Sequence, residues 1–194
     1  MAMNDLYGFS KECELKAGPD SFEFVTKVFE YLPIAHIIND KVFVVHGGIS
    51  PNSDMTIESL QKINRVMQPP EDGPLNDVLW SDPADDNGAT AVRGGAVLFD
   101  STMTHEFLSK NNLELLIRSH QVVKEGYRIQ HDGKCITVFS APNYVGKVGN
   151  LGCVMKIIIE DGKDLKYELN TFDALPFPFD FEPMLYCDME RFRC

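Results

Sequence analysis

The sequence predicts an α/β fold in which short buried strands alternate with amphipathic helices. Three observations predict it. Apolar runs of β-forming residues at 41–45 and 113–117 each stop abruptly at a polar loop. Segments of helical period lie between them. Asp132-Gly133 and Asp161-Gly162 each sit between alternating or apolar runs, a strong local hairpin signal.

The elements follow in order. Residues 21–32 carry Phe22, Val25, Phe29 and Leu32 at helical spacing, with Asp20 or Ser21 as a cap and Pro19 just before. Asn39-Asp40 marks a turn, and the strand 41–45 ends at His46-Gly47-Gly48. Residues 56–67 read as a second helix, with Ile57, Leu60, Ile63 and Met67 on one side. The proline-, glycine- and acid-rich stretch 68–88, which holds the lone tryptophan Trp80, reads as a long ordered loop. A short helix is expected at 104–110, then a strand at 113–117 ending at Arg118-Ser119-His120. Two hairpins follow, one from 127–130 and 134–139 and one from 154–159 and 165–169. Residues 176–183, rich in proline and phenylalanine, are expected to form an extended strap.

The bulk numbers set bounds. A chain of 194 residues with 44% apolar content suits one domain or a large piece of one. A formal net charge of -11 argues against nucleic acid or anionic lipid as a partner. Any phosphate site must then rest on local positive charge or metal. Cys13, Cys135, Cys153, Cys187 and Cys194 are odd in number, form no C-x-x-C pair, and fit a reducing compartment. No signal pattern or membrane-length apolar run occurs. A soluble cytoplasmic protein, also compatible with the nucleus, is the expectation.

Chemistry concentrates in three loops that follow strands: His46-Gly47-Gly48, Arg118-Ser119-His120 and Ser140-Ala141-Pro142-Asn143-Tyr144. Strand ends are where α/β proteins gather their sites, and neutral imidazole is a common metal ligand. The paired glycines are expected to let backbone approach a ligand closely. Taken singly, each loop is weak: a lone histidine after a strand is more often a hydrogen-bonded structural residue, and Gly-Gly or Pro-Asn-Tyr is usually a turn.

The order of motifs is more specific. His46-Gly47-Gly48, Leu79-Trp80-Ser81-Asp82-Pro83, Arg93-Gly94, Arg118-Ser119-His120-Gln121 and Phe139-Ser140-Ala141-Pro142-Asn143-Tyr144 resemble the C-terminal motif series of the serine/threonine phosphoprotein phosphatase family. The resemblance runs from about residue 3 to about residue 184. Gln68-Pro69-Pro70 through Gly73-Pro74, residues 126–144, and Glu182-Pro183-Met184 most resemble its protein phosphatase 5 branch.

That resemblance implies the C-terminal portion of a metallophosphoesterase-type β-sandwich of mixed sheets flanked by helices, with residues 1–194 as one partial domain. It implies hydrolysis of phosphoserine and phosphothreonine by water activated on two divalent ions, manganese or iron and zinc, about 4 Å apart. His46 and His120 correspond to ligands of the second ion. Arg93 corresponds to a phosphate-binding arginine, whose planar fork matches two phosphate oxygens. Tyr144 borders the phosphate pocket, and Asp82 is a catalytic-site acid that either faces the substrate or acts through a neighbouring site residue. The implied partners are a phosphoprotein substrate and regulatory subunits.

The chain also departs from the family. Gly-Asp-x-His-Gly, Gly-Asp-x-Val-Asp-Arg-Gly and Gly-Asn-His-Glu are absent. In the family these supply the other metal ligands, a second phosphate-binding arginine and the proton donor to the leaving group. The chain alone is therefore expected to bind catalytic metal weakly and to turn over little substrate. Three readings are a partial gene product of a genuine phosphatase, an inactive binding module, and one half of a split enzyme completed by an N-terminal half. Val145 stands where many members carry cysteine, which removes a thiol near the site.

Overall fold

Period-two alternation along three short strands divides the larger part of the chain into two apolar layers. The computed structural model describes residues 2–52, 54–85, 97–158 and 164–176. Arg93 with its glycines, the Asp161-Gly162 turn, nearly all of the 176–183 strap, and Cys187 and Cys194 lie outside the described residues. Chain contacts among the described residues define two compact units, one within residues 2–32 and one within Pro33–Leu175.

In the first unit, α1 spans Ala2–Leu6, α2 Phe9–Ala17 and α3 Ser21–Phe29. The Phe9 ring meets Phe22 edge-on at 6.3 Å and stacks on Phe29 at 5.9 Å, tying α2 to α3. α3 stops at Phe29, short of the expected Leu32, because Pro33 disfavours helical backbone in the residue before it.

The second unit begins with β1 (Ala35–Ile38) and β2 (Val42–Val45). Asn39 and Asp40, both at positive φ, turn one into the other. α4 covers only Ile57–Gln61, opened by a Thr56–Ser59 capping box. The expected run to Met67 is cut by tight i→i+3 bonds from Lys62 to Ser59 and from Ile63 to Leu60. α5 (Pro74–Trp80) lies inside the stretch expected to be a loop. Gly73 and Pro74 do not break structure there: Pro74 occupies the first turn, where its missing N–H costs nothing.

β3 (Asp82–Pro83) pairs in parallel with β4 (Leu98–Phe99). α6 (Ser101–Lys110) starts three residues earlier than expected because the Asp100 side chain accepts from Met103 N–H at 2.9 Å. β5 (Leu115–Arg118), β6 (Tyr127–Gln130) and β7 (Cys135–Val138) complete a five-stranded mixed sheet in the order β1-β2-β5-β7-β6. β8 (Gly152–Ile158) and β9 (Lys166–Phe172) form the final hairpin, longer at both outer ends than expected.

One face of the large sheet points Phe43, Leu116 and Cys135 into a core with Leu60, Val78, Phe99 and Phe107 from the helical side. The opposite face points Val42, Leu115, Ile117 and Ile136 at Met155, Ile157 and Tyr167 of the β8–β9 hairpin. The sheet is thus sandwiched between helices and a second sheet. β2, β5 and β7 are mutually parallel, so the loops after all three leave the same edge.

Candidate functional site

That shared edge brings the first two loops together. His46 follows β2 directly and His120 lies two residues past β5. His46 Nε2 and His120 Nδ1 are 3.1 Å apart, with ring centroids 5.0 Å apart at 69°. At that distance either one ring N–H donates to the other ring, or both lone pairs face one shared cation. Ser119 N–H also donates to His46 O at 3.1 Å, so the loops are joined by backbone as well. His120 holds φ at +59°, uncommon for a residue with a Cβ.

The glycines after His46 make room for the chain itself. A Cβ on Gly47 would lie 2.5 Å from the Leu79 carbonyl carbon and 2.6 Å from Trp80 N, and one on Gly48 would strike the Phe99 ring. Both glycines let the loop approach α5 and β4 closely. The same packing sets the Trp80 ring perpendicular to His120 at 5.2 Å.

Beneath the histidines lies a guanidinium to which the sequence assigns no role. Arg118 is 1% exposed. Its Nε donates to Gly47 O at 2.5 Å, Nη1 to Gln121 Oε1 at 2.9 Å, and Nη2 to Ser81 O at 3.1 Å and Asp82 Oδ1 at 2.8 Å. Asp82 is also 1% exposed, so its carboxylate faces Arg118 inside the protein. Although solvent reaches His46, the protein backing its ring withholds hydration, and this lowers its pKa; the positive charge of Arg118 lowers it further. Both effects favour the neutral, ligand-competent imidazole.

Tyr144 stands at the exit of the third parallel strand, in a short 3-10 turn with its ring edge-on to Phe139 at 5.2 Å. Its position depends on Asn150, a second residue the motifs do not flag. Asn150 is 2% exposed, accepts from Tyr144 N–H at 2.8 Å, and donates to Ala141 O and Leu151 O, both at 2.9 Å. The structure thus brings His46 and His120 together over Arg118 and Asp82, sets Tyr144 on the next strand end, and leaves Arg93 outside the described residues.

Two nitrogens that each bond one cation at roughly 2.1 Å stand about 3 Å apart when the bonds meet near a right angle. The observed 3.1 Å fits two positions of one coordination shell. Among the described residues, no group of three His, Cys, Asp or Glu could complete that shell or hold a second ion.

The profile of the calcineurin-like phosphoesterases matches residues 4–124, which includes both histidines and the buried arginine. The chain belongs to the calcineurin-like phosphoesterase family. That family is metal-dependent. Over 187 residues this phosphoesterase chain is 42% identical to human serine/threonine-protein phosphatase 5, covering 96% of the chain and 37% of the human protein. It is 46% identical over 180 residues to serine/threonine-protein phosphatase T of Trypanosoma brucei brucei, covering 92% and 38%. A solved protein serine/threonine phosphatase from Saccharomyces cerevisiae superposes with a TM-score of 0.82 at 36% identity, over 92% of this chain and 58% of that one. The chain therefore spans well under half the length of these curated relatives, and its fold corresponds to part of the metallophosphoesterase sandwich. No described helix is long and apolar enough to cross a membrane.

Proposed function

We propose that the chain forms the C-terminal part of the catalytic domain of a metal-dependent phosphatase that hydrolyses phosphoserine and phosphothreonine in proteins. The convergence of His46 Nε2 and His120 Nδ1 to 3.1 Å carries this reading. Serine/threonine phosphatases among the relatives support the substrate class.

In this reading His46 and His120 hold one divalent cation, manganese or an iron or zinc ion. Two such cations, when bound, supply an activated water and charge for the phosphoryl oxygens. Arg93 binds two oxygens of the phosphate, and its fork keeps phosphorus in line for attack. Tyr144 shapes the pocket wall and offers a hydroxyl donor. Asp82 acts at one remove by holding Arg118 inside the protein. The partners are a phosphoprotein and regulatory subunits, in a cytoplasmic and nuclear setting.

A second reading draws on the ligand count. Among the described residues only two ligands converge and no third His, Cys, Asp or Glu joins them, which favours residues 1–194 being inactive without the rest of the metal site. One experiment separates the readings. The purified chain is assayed with Mn2+ on a chromogenic phosphate ester and a phosphothreonine peptide, alone and mixed with the N-terminal part of a related catalytic domain. We expect little turnover alone and clear turnover in the mixture that is lost on His46→Ala. A folded mixture with no turnover contradicts the enzymatic reading.

A further inference from the structure

We propose that Arg118, locked in place by Asp82, is a positioning residue that sets the spacing and orientation of the His46 and His120 rings. The inference rests on the reading that these two rings share a cation.

The argument starts from the cost of burial. Dehydrating a guanidinium is expensive, and a buried ion pair alone seldom stabilises a fold more than well-packed apolar residues would. An apolar replacement cannot bind two carbonyls, an amide oxygen and a carboxylate with one planar group. Arg118 does this across three separate segments: the loop after β2, the start of β3, and the loop after its own strand.

The addresses of those contacts point to one purpose. Gly47 is the neighbour of His46, Gln121 is the neighbour of His120, and Ser81 is the neighbour of Trp80, whose ring abuts His120. Three of its four hydrogen bonds therefore act one residue away from a ring at the site, and the fourth holds Asp82, the neighbour of Ser81. His120 also needs such support, because its positive φ is held only where the surroundings over-determine it. Ser119 N–H on His46 O and Gln121 N–H on Ser119 O, at 3.1 and 2.6 Å, close the frame.

The test uses the full 194-residue chain. Ring-to-ring nuclear Overhauser effects between His46 and His120 report their geometry without any metal. Quenching of the lone Trp80 by titrated Co2+ reports the affinity of the pair, since that ring lies 5.2 Å from His120. Arg118→Lys keeps the charge and loses the fork. Gln121→Ala is a milder variant, and Phe107→Leu is a core variant away from the frame. We expect Arg118→Lys to weaken the ring-to-ring effects and to lower Co2+ affinity by about 10–100-fold. Gln121→Ala shows a smaller loss of both, and Phe107→Leu shows neither.

Wild-type ring effects and affinity in Arg118→Lys overturn the proposal, as does an equal loss in Phe107→Leu. Should Arg118→Lys fail to fold, an unaltered Gln121→Ala overturns it. A different pattern sinks the shared-cation reading and leaves the positioning role standing: no saturable Co2+ response in the wild type, with ring effects lost in Arg118→Lys.

Discussion

Arg118 and Asp82 form an ion pair of 2.8 Å in which neither side chain reaches solvent. The two residues belong to different strands and are 36 positions apart, yet one hydrogen-bonded group joins them to the loops of both site histidines. Removing one partner from such a pair leaves an uncompensated buried charge.

Asp82→Asn should therefore cost about 3–5 kcal/mol. Urea denaturation measures it. Adding Arg118→Met, which removes the orphaned charge, should recover much of the loss, although not the histidine geometry.

Asn150 supports the Tyr144 loop with three hydrogen bonds from a nearly sealed position. Asn150→Ala should destabilise the chain by about 2–3 kcal/mol, since it leaves two carbonyls and one amide without their partner. Amide exchange at Tyr144 and Gly149 should accelerate more than exchange in β2 or β5.

Val145 is 70% exposed and holds φ at +51°. A β-branched side chain is strained in that region, and little burial offsets the strain. Val145→Gly should raise stability by about 1 kcal/mol, the relieved strain exceeding the entropy that glycine adds to the unfolded chain. Thermal unfolding of the two proteins side by side decides it.

His46 has its pKa lowered by burial and, to a lesser degree, by the Arg118 charge. A histidine depressed in the folded state binds its proton less readily than in the unfolded chain. Its contribution is present above the ordinary imidazole pKa of about 6.5 and is lost as pH falls through the lower folded value. Acidification from pH 7.5 should therefore reduce stability below about pH 6.5. Following the His46 ring proton by NMR across that range should give a midpoint below that of the unfolded chain. Arg118→Met should move the midpoint part of the way back up, burial remaining the larger cause.

β2, β5 and β7 were legible as apolar runs that stop at polar groups, because strands buried on both faces need no alternation. His46 and His120 were legible for the same reason: each comes just after such a stop. α5 was hidden because Gly73 and Pro74 look like breakers from sequence and act as a helix start in space. β1 was missed because His36 splits its apolar residues into Ile34-Ala35 and Ile37-Ile38, and Ile37 is exposed on an outer strand. Arg118 sat in full view inside a recognised loop, but three of its four partners lie 36, 37 and 71 residues away, beyond any local pattern. Asn150 shows only as one polar residue in a loop, and its role depends on three backbone groups that the fold delivers to it.

The most direct test is the anomalous-scattering map of a crystal of this chain soaked in Mn2+. The account predicts a peak between His46 Nε2 and His120 Nδ1, at bonding distance from both. Imidazoles that point apart, or manganese bound only elsewhere on the acidic surface, would contradict it.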